Sequence, residues 1–149
     1  MNPGTSLLDG RVRLQSLPEF HGPAGPEAPV MKRLLLEQGE LAQVYDADEP
    51  MHYLACIELK AGGVRGNHYH RIKDEWVYVV RGELRLHVLN IESLEYATAP
   101  LRAGDLVWIR AGIAHALETL QPGFAIEFSG TRHDPADTHR HPCIPPRAV

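Results

Sequence analysis

Four residues have types and spacing suited to gripping a single cation: His68, His70, Glu75 and His115. Successive side chains of an extended strand alternate between its two faces. His68 and His70 therefore project to the same side, and both imidazoles can reach a common point. Glu75 opens the apolar run Trp76-Val77-Tyr78-Val79-Val80. A carboxylate entering such a run is costly to bury unless something compensates its charge, and a metal ion would do so. Val77 and Val79 share the face of Glu75 and would wall the ion. His115 starts another short run, with Leu117 on its face. An isolated His-x-His pair is more often two surface histidines than a metal pair, so the pointer to a metal is the whole set. Three imidazoles and one carboxylate suit zinc, iron, nickel, manganese or copper, with positions left open if the ion takes five or six ligands.

These side chains must be carried by short strands. The runs Tyr53 to Leu59, Glu75 to Val80, Leu84 to Leu89, Leu106 to Ile109, His115 to Leu117 and Phe124 to Phe128 are apolar or alternating, and almost no helical period appears. Turn signals separate them at Ala61-Gly62-Gly63, Arg81-Gly82, Ala103-Gly104-Asp105, Ala111-Gly112 and Pro122-Gly123. Closely spaced strands with glycine punctuation predict an all-β sandwich or barrel. In one strand Leu84, Leu86 and Val88 face the core, which puts Arg85 and His87 on a wet face.

The 149 residues are enough for one domain with its own core. With 44% hydrophobic and 23% charged residues, a net charge of −4 and scattered basic residues, the chain has no basic stripe for nucleic acid. It also has no apolar run long enough to span a membrane. Three zones are expected: a Pro/Gly-rich arm over residues 1–30, a compact barrel over 31–130 and an irregular tail over 131–149. Met1 to Gly10 does not resemble a signal peptide, so a cytoplasmic location is the default expectation. Cys56 and Cys143 have no CxxC partner and read as free thiols.

The spacing of the histidines and glutamate resembles the two motifs of the cupin superfamily. The first, G-x5-H-x-H-x3-4-E-x6-G, is filled at every fixed position by Gly62, His68, His70, Glu75 and Gly82. The second, G-x5-P-x-G-x2-H-x3-N, is met by Gly104, Gly112 and His115, with Arg110 where proline is usual and Thr119 where asparagine is usual. The resemblance implies a cupin jelly-roll β-barrel, usually paired as a homodimer, with the ion inside near one mouth. A narrower likeness joins Gly63-Val64-Arg65-Gly66-Asn67-His68-Tyr69-His70, Lys73 and Glu75, together with the stretch Asp134 to Thr138. That set is similar to the C-terminal cupin domain of UDP-sugar reductase-epimerases of capsule synthesis. A chain like this is expected to act without a fused reductase.

Such a site predicts chemistry on a small polar substrate, with a sugar or nucleotide-sugar isomerase or epimerase leading. A metal beside a ketone stabilises an enolate, and a base must still take the proton. Glu127, His52 and Tyr53 are the candidate bases, all in or next to expected strands. Glu127 alternates with Ile126 and Phe128 and is expected to face solvent. Arg65 could meet an anionic substrate, and Trp108 could stack on a sugar ring. Tyr69 is expected to turn away from the ion, and Lys73 to be solvated in its turn. His133, His139 and His141 are expected to be solvated in the tail. An Fe(II) dioxygenase and a non-catalytic carbohydrate-binding or sensor module are the competing readings, since the fold alone hosts all three.

Overall fold

A computed structural model describes residues 4–146. Twelve strands and one 3-10 turn follow in order. The strands are β1 (Thr5–Leu7), β2 (Val12–Ser16), β3 (Glu19–His21), β4 (Lys32–Leu36), β5 (Gly39–Gln43), β6 (Tyr53–Leu59), β7 (Val64–Tyr69), β8 (Glu75–Asn90), β9 (Tyr96–Arg102), β10 (Asp105–Ile109), β11 (Ile113–Ser129) and β12 (His139–Arg140). The turn spans Pro135–Asp137. No helix of the described residues is long and apolar enough to cross a membrane.

The architecture is the expected all-β jelly roll. Nine strands share one hydrogen-bonded sheet that bends into two facing layers. One layer runs β1-β2-β10, then the first half of β8, the second half of β11, and β6. The other runs β9, the second half of β8, the first half of β11, β7 and β12. β8 and β11 thus belong to both layers, and each unites two runs that read as separate strands in the sequence. Arg81-Gly82 and Pro122-Gly123 are bends where these long strands cross from layer to layer, with register shifts between Thr119 and Ala125. Gly82 has φ +99, and a Cβ on Gly123 would run into the carbonyl of Arg81. Glycine at such a bulge lets two backbones approach and the sheet turn its corner.

Between the layers lies the main core, with Val79, Leu84, Leu86, Val88, Val107 and Ile113 buried. A second apolar cluster covers the outside of the first layer. There Trp76, Tyr78, Leu106 and Phe128 meet Tyr45 and Met51 from the long connection before β6. The small sheet β3-β4-β5 carries the chain towards that connection.

Two zones differ from expectation. The first half of the segment expected as an arm belongs to the barrel: β2 pairs with β10 along its length, and Leu8, Val12 and Leu14 are in the main core. The alternation Val12-Arg13-Leu14-Gln15-Ser16 is a half-buried strand; the prolines that suggested an arm fall after it. The expected irregular tail likewise docks on the second layer, where β12 pairs with β7 and Cys143 is buried against Ala114 and Ala116. Burial pushes the Cys143 thiol up to about 11, so it is protonated at neutral pH. Residues 1–3 of the arm and 147–149 of the tail lie outside the described residues.

Candidate metal centre

The four ligand candidates arrive from three strands. His68 lies near the end of β7, and His70 follows that strand. Glu75 is the first residue of β8, and His115 lies on β11 directly opposite His68. That pairing depends on an irregularity. β7 carries an extra residue at Asn67, whose φ is +55, and the register shifts between His115 and Ala116. Gly66, with φ +93, packs so closely on β11 that a Cβ would stand 2.5 Å from the His115 carbonyl oxygen. The bulge re-aims His68 at the interior.

One donor atom from each of His68, His70, Glu75 and His115 lies within 4.8 Å of every other. Glu75 Oε2 is 2.6 Å from His115 Nε2, and Glu75 Oε1 is 3.1 Å from His70 Nε2. His70, Glu75 and His115 are buried, while His68 opens onto a cavity. The second nitrogens of two rings are already engaged. His70 Nδ1–H donates to the Asp137 carbonyl at 2.7 Å, and His115 Nδ1–H to the Ile113 carbonyl at 3.1 Å. A carbonyl can only accept, so each Nδ1 carries the proton and each Nε2 faces the centre. Unless the rings are doubly protonated, lone pairs on Nε2 confront the lone pairs of Glu75. A cation resolves that conflict, and carbonyl-held imidazoles are the arrangement that orients histidine for a metal. The donor set therefore fits a divalent ion of the zinc, iron, nickel or manganese type.

In the ion-free protein a proton on His115 relieves the same conflict in the cation's place. Burial, reinforced by the neighbouring histidines, lowers His68 to about 4, which leaves it neutral and able to donate a lone pair at neutral pH. Burial opposes charge on Glu75, but the His115 ring and the hydrogen bonds it receives more than offset this and hold its carboxyl well below the usual range. Burial likewise opposes a proton on His115, and the Glu75 carboxylate outweighs it, raising that ring.

Beside the four lies a cavity of about 210 Å³, lined among others by Tyr53, Ile57, Arg65, His68, His115 and Glu127. Glu127 faces it, contrary to the expectation of a solvent-facing side chain. Both faces of β11 are covered here, since Ile126 and Phe128 pack under the outer apolar cluster. Alternation therefore could not say which face was wet. Burial and then the Glu75 carboxylate push Glu127 up to about 7. Lys73, expected to be solvated, is 4% exposed. Its ammonium lies 3.0 Å from both Glu75 Oε1 and Glu127 Oε1 and 4.1 Å above the centre of the Tyr53 ring. Arg65 stands exposed at the cavity wall, with its guanidinium donating to the Glu58 carbonyl at 3.3 Å.

Two other candidates lie elsewhere. His52 precedes β6 with an exposed side chain and does not line the cavity; its backbone N–H donates to Ser129. Trp108 alternates with Val107 and Ile109, which fill the interior, so it faces the opposite side of the sheet. There Arg13 lies over its ring at 4.8 Å and Trp76 beside it. Strand parity thus removes it from the ion. His87, expected on a wet face, is buried under the sheet's outer side, bonded to Tyr96 and Glu118. Lys73, expected to be solvated, and Asp137, given no role by the sequence, both sit in turns, where no periodic signal reports burial.

A jelly roll with both histidine motifs converging inside it makes this chain a member of the cupin superfamily. Residues 55–128 match the family model described as a cupin domain. Over 67 residues the chain is 31% identical to a probable oxalate decarboxylase of Arthroderma benhamiae, covering 45% of this chain but 16% of that protein. An oxalate decarboxylase of the same organism matches at 31% over 67 residues, 15% of its length. The chain therefore corresponds to a small part of these curated relatives. Among solved structures, a 3'-monoepimerase from Streptomyces bikiniensis in complex with dTDP-quinovose superposes with a TM-score of 0.71 at 17% identity, covering 91% of this chain and 71% of that one. The dTDP-4-dehydrorhamnose 3,5-epimerase of Sulfolobus tokodaii gives 0.70 at 18%, covering 91% and 80%. At these identities the likeness is one of fold.

Proposed function

We propose that this cupin is a metal-dependent enzyme that moves a proton on a small hydroxy-carbonyl substrate, of the sugar isomerase or epimerase class. The observation that carries the reading is Glu127, a carboxyl that stands outside the ligand set yet faces the same cavity, braced by buried Lys73. The chemistry a bound divalent ion supplies is polarisation of a carbonyl oxygen, which acidifies the adjoining C–H.

Glu127 Oε takes that proton and returns it. A carboxyl pushed up to about 7 is matched to both halves of such a transfer near neutral pH. Lys73 fixes the carboxylate through its 3.0 Å contact. Tyr53, under the lysine, closes one wall of the cavity. Arg65 at the wall receives an anionic group on the substrate. A volume of about 210 Å³ suits a single sugar-sized unit, and the sugar nucleotides named for structures of the same fold support a carbohydrate ligand.

The local match to oxalate decarboxylases, together with Arg65, favours one second reading: decarboxylation of a small carboxylate. One experiment separates the two. The metal-loaded protein is incubated in D₂O with a panel of aldoses, ketoses, their phosphates and small dicarboxylates. Deuterium wash-in beside a carbonyl, slowed about 10²–10⁴-fold in Glu127→Gln, supports the first reading. CO₂ release without wash-in supports the second, and oxygen uptake with bound iron would overturn both.

A further inference from the structure

We infer that Asp137, in the segment after the barrel, is a positioning residue for the metal centre: it sets the orientation and tautomer of His70 and the path of the loop from His70 to Glu75. This rests on the metal-site reading above. Asp137 ends the 3-10 turn Pro135–Asp137, and its N–H donates to Asp134 at 3.0 Å. Its carboxylate accepts three consecutive backbone N–H groups: Arg71 at 2.8 Å, Ile72 at 3.2 Å and Lys73 at 3.1 Å. Its carbonyl accepts His70 Nδ1–H at 2.7 Å. The residue is 7% exposed.

One buried residue therefore satisfies four donors in succession from the segment that joins two ligands. Successive N–H groups converging on one anion form a nest, a concavity suited to negative charge. Without the carboxylate, three backbone N–H groups, that of buried Lys73 among them, lose their partner, and the turn that delivers Lys73 and Glu75 is free to rearrange. The anchor is itself held. Just beyond it β12 pairs with β7, placing Arg140 opposite His68, and the His141 N–H donates to the Asn67 carbonyl at 2.7 Å. The tail thus grips the chain on both sides of His68, at Asn67 and from His70 to Lys73. Donation of Nδ1–H to a carbonyl aims Nε2 at the centre and makes it a better ligand for an incoming ion.

The test uses the full chain, ¹⁵N-labelled, as wild type, Asp137→Asn and Asp137→Glu. Leu101→Ala serves as a control destabilised in the core away from the cavity. Long-range ¹H–¹⁵N spectra of the metal-free proteins read the His70 tautomer, and Co(II) titration reads affinity and the d–d band. Wild type and Leu101→Ala are expected to hold His70 with the proton on Nδ1. Asp137→Asn is expected to lose that single state, bind Co(II) about 10–100-fold more weakly and shift the band, with Asp137→Glu between them. If Asp137→Asn does not fold, Asp137→Glu carries the test. An unchanged His70 tautomer with Co(II) affinity within about two-fold of wild type in the folded Asp137 variants, or equal losses in Leu101→Ala, overturns the inference. A wild type that binds no Co(II) overturns the metal-site reading instead, and the tautomer still decides whether Asp137 positions His70.

Discussion

The ammonium of Lys73 lies 3.0 Å from Glu127 Oε1 inside the barrel, and the same nitrogen is 3.0 Å from the ligand candidate Glu75. One buried cation thus ties a carboxylate of the metal centre to a carboxylate of the adjoining cavity. In the metal-free protein it is also the positive charge that offsets two acids in a low-dielectric space. Burial opposes its charge, but the two carboxylates more than compensate and raise its pKa.

Removing that charge should be expensive. Lys73→Met leaves Glu75 and Glu127 facing each other without their common partner, and breaking a buried ion pair from one side costs about 3–5 kcal/mol. Urea unfolding of the metal-free variant measures the loss. Wild-type stability in Lys73→Met would show that the contact contributes little.

Glu127 makes the pH dependence unusual for a carboxyl. Its folded value, about 7, lies above the ordinary 4.5. Over that window the native state keeps a proton that the unfolded chain has released, so this group's contribution to stability falls as pH rises from 4.5 to 7. Glu127→Gln removes the ionisation. Its stability relative to wild type should therefore rise between pH 5 and pH 8, by on the order of 2 kcal/mol. Denaturant midpoints of the two metal-free proteins across that range provide the check, and parallel pH curves would contradict the assignment.

Metal loading should stabilise the fold by mass action. At free metal about 100 times Kd the gain is about 2.7 kcal/mol, reversed by a chelator. In His68→Ala or His115→Ala that gain should vanish at the same metal concentration. Thermal unfolding with and without Zn(II), Mn(II) or Co(II) tests this, and equal gains in the variants would exclude those histidines as ligands.

Gly66→Ala tests the bulge. A methyl group there meets the His115 carbonyl oxygen at 2.5 Å, on a backbone with φ +93. β7 must move off β11 where His68 faces His115, so stability should drop by about 1–3 kcal/mol and metal affinity with it. A variant equal to wild type in both would show that the close approach has no role in aiming His68.

By itself the sequence determined the fold class and which four residues converge, because strand alternation and motif spacing are local properties of the chain. His68 and His70 share a face through parity alone, and Glu75 betrays itself by entering an apolar run. Only the tertiary structure decided which side of each strand is dry. Glu127 and His87 both look solvent-facing in their own strands, yet a second layer of side chains covers the outer face of each. Lys73 and Asp137 were illegible for the same reason: their burial depends on partners 54 and 64 residues away in the chain, and no local pattern carries information about such distant contacts; β2 does show its alternation locally, and only its pairing with distant β10 had to come from the fold.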